Sequence, residues 1–185
     1  MNRVERGIEW IQEQEPDDIL EVIMNEYGPD LMKLAYTYVH DWAKAEDLVQ
    51  DVFITSYEKL TSFRGESSLK TWLHRVTINK CKDSLKSWSF RNIRSGFDEY
   101  YQSTRSTTPT PEQDLIKKDE DSFLADCIMK LPMKYREVIL LYYYSELDTE
   151  EIAAALKVNS KTIRTRMRRA RNLLKDMYEE AGING

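Results

Sequence analysis

The chain has 185 residues, 41% of them hydrophobic and 32% charged, which is enough apolar material for one or two domains, and no stretch reaches the roughly 18 uninterrupted apolar positions of a membrane span. Two cysteines, Cys81 and Cys127, support neither a disulfide framework nor a zinc knuckle, and 6 glycines with 5 prolines are too few for the turns of a many-stranded fold. The formal net charge of −5 hides two basic blocks on an acidic chain: residues 70–94 carry 7 basic side chains and 1 acid, residues 160–175 carry 7 and none, and residues 1–69 carry 6 and 15. A surface built only for solubility would intersperse its signs, so the two blocks point to two separate contacts with a polyanion.

The opening residues, MNRVERGIEWIQEQEPDD, have neither the basic start nor the apolar run of a signal peptide, and a cytoplasmic protein is expected. Ile19, Ile23 and Tyr27 recur at helical spacing, Gly28-Pro29 interrupts, and Leu31, Leu34, Ala35 and Tyr38 resume the pattern, which predicts a helix pair or a kinked helix. A second helix is predicted over 43–60, with Ala45, Leu48, Val49, Val52, Phe53 and Leu60 facing inward. Its exposed side carries Glu46, Asp47, Gln50, Asp51 and Glu58. Asp47 and Asp51 are four apart, a like-charge spacing that costs roughly 0.2–0.5 kcal/mol in an isolated helix and that an electropositive partner would offset. An ordinary solvated face has the same composition.

After the loop FRGESS, a third helix is predicted over 68–88, with Leu69, Leu73, Thr77, Cys81, Leu85 and Trp88 as its inner stripe and Val76 widening it. Arg75, Asn79, Lys82 and Lys86 repeat the same spacing on the opposite face, and Phe63 and Trp72 lie near its start. Cations beside aromatic rings suit unstacked nucleic acid, because a splayed base needs a π-face and its backbone needs positive charge. Either ring would serve equally as core. His40 and His74 stand apart from any Cys or carboxylate at metal-ligand spacing and are expected on the surface, and Cys81 and Cys127 are expected as small buried hydrophobes. With no nucleophile elbow, Walker loop or dinucleotide fingerprint, no catalytic residue, cofactor or metal is expected.

Residues 89–114 have no apolar period and end in Ser, Thr and Pro, the composition of a flexible linker. Helical patterning returns with Phe123, Cys127, Ile128 and Leu131, breaks at Pro132, and continues through the dense run from Tyr135 to Tyr144. Asp148 and Glu151 form an N-cap pair for a short helix carrying Ile152, Ala153 and Leu156, a turn follows at Lys157 and Val158, and Asn159 caps a final helix. This is the layout of a helix-turn-helix. Ile163, Met167, Ala170 and Leu174 form the inner stripe of the last helix. Arg164, Arg168, Arg171 and Lys175 repeat it one position later, with Thr165, Arg166 and Arg169 alongside. Guanidinium forks can pair with guanine edges in a major groove and the remaining cations with phosphates. The expected architecture is all-α, two helical domains joined by a flexible linker.

The ordered motifs AEDLVQDVF, SFRGESSLKTWLHRVTINKCKD, LPMKYREVILLYYYSELDTEEIAAAL and KTIRTRMRRARNLLK make the chain resemble the extracytoplasmic-function sigma factors of the sigma-70 superfamily over roughly residues 17–178. The resemblance implies a non-enzymatic transcription initiation factor whose partners are RNA polymerase core (β′ clamp and β flap), promoter DNA and an anti-sigma factor, with no cofactor and no membrane insertion. It divides the chain into an extension at 1–16, a polymerase-binding and −10-opening domain at 17–88, a linker at 89–114, a −35-reading domain at 115–180 and a tail at 181–185. Glu46, Asp47, Gln50 and Asp51 then fall on the core-binding helix. Phe63, Trp72, Arg75, Asn79, Lys82 and Lys86 fall on the −10 surface, and Lys161, Arg164, Thr165, Arg168, Arg169, Arg171 and Lys175 on the −35 surface. Two residues depart from the family pattern: Lys157 and Lys161 stand where glycine is usual. A lysine in a left-handed turn costs on the order of 1 kcal/mol, which leaves room for a differently shaped turn. The rival reading is a helix-turn-helix regulator that never touches polymerase core, its N-terminal helices serving dimerisation or ligand sensing.

Overall fold

The computed structural model describes residues 11, 13, 15–91 and 120–182, all helix or short connection, with no strand among them. The helices are α1 (Pro16–Val39), α2 (Trp42–Lys59), α3 (Leu69–Arg91), α4 (Glu120–Lys130), α5 (Met133–Tyr143), α6 (Thr149–Leu156) and α7 (Ser160–Glu180), and a 3₁₀ turn over Leu60–Ser62 follows α2. The all-α expectation holds. Of the helix pair or kinked helix expected around Gly28-Pro29, the structure has a single helix that runs through both residues. Pro29 removes the amide that would bond Asn25, and both residues are exposed, so water can satisfy the freed carbonyl. Helix α3 continues to Arg91, three residues into the stretch expected as linker. The rest of that stretch, the Trp88 side chain, residues 1–10 and residues 183–185 lie outside the described residues.

Local chemistry sets the helix ends. Pro16 opens α1 with Asp17 and Asp18 in its first turn, and His40 closes it in a left-handed conformation, its amide donating to the Tyr36 carbonyl. Asp41 caps α2 by accepting from the Lys44 amide at 3.1 Å. Asp148 and Glu151 form the predicted reciprocal box: Asp148 accepts from the Glu151 amide at 2.8 Å and Glu151 from the Asp148 amide at 3.0 Å.

In the N-terminal half, Ile19, Ile23, Leu31, Leu34 and Tyr38 of α1 bury against Ala45, Val49 and Val52 of α2 and Leu69, Leu73 and Cys81 of α3. In the C-terminal half, Cys127, Leu131, Val138, Leu141, Ile152, Ile163, Met167 and Ala170 gather around α5. Each fully buried Leu or Ile contributes roughly 1.5–3 kcal/mol. Both cysteines are buried, as expected. The two halves pack together, α1 on α5 and α3 on α6.

The histidines overturn the expectation of surface residues. His74 is 0% exposed, because it faces inward among the buried residues of α3, with its Nδ1 2.8 Å from the Lys70 carbonyl. His40 is half-buried and its Nε2 accepts from Arg136 at 2.9 Å. Burial holds each ring near a pKa of about 4, with Arg136 adding to the effect at His40. Both are therefore neutral in the fold, and unfolding raises them toward 6.5, so their contribution is full above pH 6.5 and is lost as pH falls toward 4. We expect the urea midpoint to drop between pH 7 and pH 5, with a slope of about 1.4 kcal/mol per pH unit per proton taken up. His74→Leu should remove close to one proton from that slope, as unfolding titrations at several pH values would measure.

Candidate nucleic-acid and polymerase interface

Helix α7 carries the strongest site. Asn159 caps it by accepting from the Lys161 amide at 2.7 Å. Ile163, Met167 and Ala170 are buried, Leu174 is half-buried, and the expected outer residues Lys161, Arg164, Thr165, Arg168, Arg169, Arg171 and Lys175 are all exposed. Two clefts flank it. One of about 500 Å³ is lined by Lys134, Tyr135, Lys161, Thr165 and Arg169. The other, of about 330 Å³, is lined by Tyr142, Arg164, Arg168 and Arg171. Hydrogen bonding from Arg169 pulls the Tyr135 phenol below its ordinary pKa.

The basic helix has more anionic company than its own sequence suggests. Arg164, 66% exposed, meets Glu150 at 2.9 Å, Lys175 meets Glu179 at 3.4 Å, and Arg166 is drawn inward to Glu137 at 3.0 Å. Arg171 donates to the Tyr143 hydroxyl at 3.0 Å and lies 5.9 Å and 5.7 Å from the ring centres of Tyr142 and Tyr143. Those acids come from other helices and from beyond residue 175, so counting charge within one segment missed them. Exposed pairs of this kind contribute at most about 1 kcal/mol and exchange readily for a phosphate.

The turn before α7 keeps the left-handed shape. Lys157 sits at φ 55, ψ 48 and its amide donates to the Ala153 carbonyl, so the departure from glycine changed the residue and not the backbone. On α3, Asn79 and Lys86 are exposed and Arg75 and Lys82 are half-buried. Lys86 pairs with Asp83 at 3.4 Å and Lys82 with Glu137 at 3.3 Å. Phe63 is half-buried and meets Trp72 edge-on at 5.4 Å between ring centres. Trp72 itself is only 8% exposed, so it backs the Phe63 ring and offers no open stacking face. On α2, Glu46, Asp47, Gln50 and Asp51 are all exposed, and Asp51 reaches Lys80 of α3 at 3.6 Å.

Sequence reading assigned no role to Arg136 or Glu137, yet both are buried. Arg136 donates to the Thr37 carbonyl at 2.7 Å, to the Leu131 carbonyl at 2.9 Å and to the Met129 carbonyl. The signal was present: two opposite charges inside the apolar run MKYREVILL seldom occur unless paired. Beyond that run the chain returns to the surface, where Tyr142, Tyr143 and Tyr144 are exposed. Among the described residues no cluster of His, Cys, Asp and Glu could hold a metal, and no helix is long and apolar enough to cross a membrane.

This geometry has close parallels in known proteins. A family model for sigma-70 region 2 matches residues 23–90 and one for sigma-70 region 4 matches residues 124–174. The chain is 30% identical over 171 residues to the RNA polymerase sigma factor YlaC of Bacillus subtilis (strain 168), covering 88% of this chain and 96% of that one. To the ECF RNA polymerase sigma-E factor of Escherichia coli (strain K12) it is 33% identical, covering 69% and 70%. Among solved structures, it is similar to the sigma factor RpoE in complex with the anti-sigma factor NepR from Bartonella quintana, with TM-score 0.72, 25% identity and 88% and 98% of the two chains covered.

The left-handed Lys157 gives a test of the turn. Glycine adopts this conformation without the Cβ penalty, so Lys157→Gly should raise stability by about 0.5–1 kcal/mol. Lys157→Val should lower it, since a branched Cβ fits φ 55 worse. Urea unfolding of the three proteins measures both effects.

Proposed function

This chain belongs to the extracytoplasmic-function group of sigma-70 RNA polymerase sigma factors, and from that membership we propose how its residues divide the work of starting transcription. The protein is a promoter-specific transcription initiation factor that acts with RNA polymerase. Residues 17–88 serve as the domain that holds the polymerase core and opens the −10 element, and residues 115–180 as the domain that reads the −35 element, with 89–114 linking them. A regulator that works without polymerase core is not favoured, because such a protein has no need of a region 2 domain.

The observation that carries the assignment is the joint exposure, in one chain, of an acidic helix and two basic helix faces. Glu46, Asp47, Gln50 and Asp51 stand free of the core on α2 and present the charge that a basic polymerase surface would take up. Phe63, braced from below by Trp72, is the ring against which an extruded base would rest, with Arg75, Asn79, Lys82 and Lys86 along the path of its strand. In a helix-turn-helix the N-terminal part of the second helix enters the major groove. Lys161, Arg164, Thr165 and Arg168 therefore sit toward base edges, and Arg169, Arg171 and Lys175 toward phosphates. The chain supplies recognition and leaves the chemistry to polymerase. A cytoplasmic location follows from that partner. The solved relatives CnrH and RpoE were captured with CnrY and the anti-sigma factor NepR, and an anti-sigma partner is proposed for this chain too.

Reversing both charges, Asp47→Lys with Asp51→Lys, should weaken capture of polymerase core while leaving helicity unchanged, since exposed substitutions shift stability by under about 0.5 kcal/mol. A pull-down with undiminished core would refute the assignment. For the upstream element, Arg164→Ala should cost about 1–3 kcal/mol and relax one base position, whereas Lys175→Ala should weaken all sequences alike and reduce the salt slope by about one unit. Selection from randomised −35 duplexes by the polymerase-bound chain, at two salt concentrations, reads both. Equal, sequence-independent losses would mean that α7 grips only the backbone.

A further inference from the structure

The end of α5 carries an exposed aromatic corner to which the functional reading gives no role. Tyr142 and Tyr143 both stand in solvent, and their rings meet edge-on with centres 5.0 Å apart. Large exposed rings are seldom left without a partner to contact. Here the partner within the chain is Arg171 of α7. Its Nε donates to the Tyr143 hydroxyl at 3.0 Å, and its guanidinium carbon lies 5.9 Å from the ring centre of Tyr142 and 5.7 Å from that of Tyr143. The hydrogen-bonded residues are 28 positions apart, so the packing of α5 on α7 brings them together.

The other cations of α7 that have partners are held differently. Arg164 meets Glu150, Arg166 meets Glu137 and Lys175 meets Glu179, each an acid whose charge offsets that of its partner. Among the described residues no acid pairs with Arg171. A phenol hydroxyl and two rings restrict its side chain without supplying a countercharge. The guanidinium has five N–H donors in a planar fork. With Nε committed to Tyr143, the end-on edge formed by the two terminal amino groups is left for a second partner, and the spacing of that edge matches two oxygens of one phosphate. Arg171 also lines the cleft of about 330 Å³ together with Arg164 and Arg168, so a strand read by those two arginines runs within its reach.

We propose that Tyr143 is a positioning residue for DNA binding: its hydroxyl, with the Tyr142 ring beside it, presets Arg171 to clamp one phosphate of the −35 duplex with its charge uncompensated. The proposal rests on the functional reading above and deepens it by naming how one backbone contact is made. An arginine free in solvent samples many rotamers, and binding must remove that freedom. Tyr143 removes part of it beforehand. An acid in the same place would order the side chain equally well, but it would have to be displaced before a phosphate could bind. Because a phosphate carries no base identity, the contact adds affinity for every sequence alike.

The test is a double-mutant cycle in the full chain: Tyr143→Phe, Arg171→Ala and the two combined. Each polymerase-bound protein is titrated with promoter duplex at several salt concentrations, and the Arg171 Nε–H is followed by NMR in the free chain labelled with ¹⁵N-arginine. Phenylalanine keeps the ring and removes only the acceptor. We expect Tyr143→Phe to raise Kd about threefold to tenfold at unchanged base preference, and to speed exchange of the Arg171 Nε proton by a factor of about three or more. Arg171→Ala should raise Kd further and reduce the salt slope by about 0.9. Once Arg171 is alanine, adding Tyr143→Phe should change Kd less than about twofold, because the hydroxyl acts through the guanidinium. A tyrosine that merely supports the fold would weaken binding equally in both backgrounds. That result, an unchanged Kd for Tyr143→Phe, or an unchanged Arg171 signal would overturn the positioning role. Absence of core-dependent promoter binding by the unmodified chain would overturn the functional reading and the phosphate contact with it, while the Arg171 signal would still decide whether Tyr143 holds the side chain.

Discussion

Ile163, Met167 and Ala170 bury one face of α7, and successive residues on a helix lie roughly 100° apart around its axis. Packing those three inward therefore obliges Arg164, Arg168 and Arg171, each one position later, to project along one outer line. The position of the cations is a by-product of apolar burial, so the basic face is anchored by the core behind it. The same constraint orders α3, where Leu69, Leu73 and Cys81 fix the path of Arg75, Asn79, Lys82 and Lys86. It also orders α2, where Ala45, Val49 and Val52 turn Asp47 and Asp51 outward. Three surfaces of differing charge thus depend on three buried stripes.

Burial also sorts the cations by task. Arg164 and Lys175 pair with exposed acids, at a gain of at most about 1 kcal/mol, so exchange for a phosphate costs little. Arg166 pairs with a carboxylate that is almost wholly buried, and removing one member of such a pair strands a charge at a cost of about 3–5 kcal/mol. Two arginines two positions apart therefore differ in hold: Arg164 keeps an exposed, exchangeable partner and Arg166 ties the helix to α5. Tyr142 and Tyr143 add a third case, since their rings and the Tyr143 hydroxyl restrict where Arg171 can point.

Much of this is legible in the amino-acid sequence. The stripes of α2, α3 and α7 follow from spacing alone, and the Asp148–Glu151 box from two residues three apart, because these are local properties of one helix. What resisted reading was non-local. Nothing in the neighbourhood of His74 announces that its face of α3 is enclosed by other helices. Pro29 left both a helix pair and a kinked helix open, and the exposed Asn25, whose freed carbonyl water can satisfy, lies a turn away. The acids that answer Arg164 and Arg166 sit on α6 and α5, 14 and 29 positions earlier in sequence, beyond the reach of a segmental charge count. Lys157 shows a third limit: glycine is the usual residue for φ 55, and a lysine is retained there because the Asp148–Glu151 box and the buried Ile152 and Leu156 hold α6 against strain of about 1 kcal/mol.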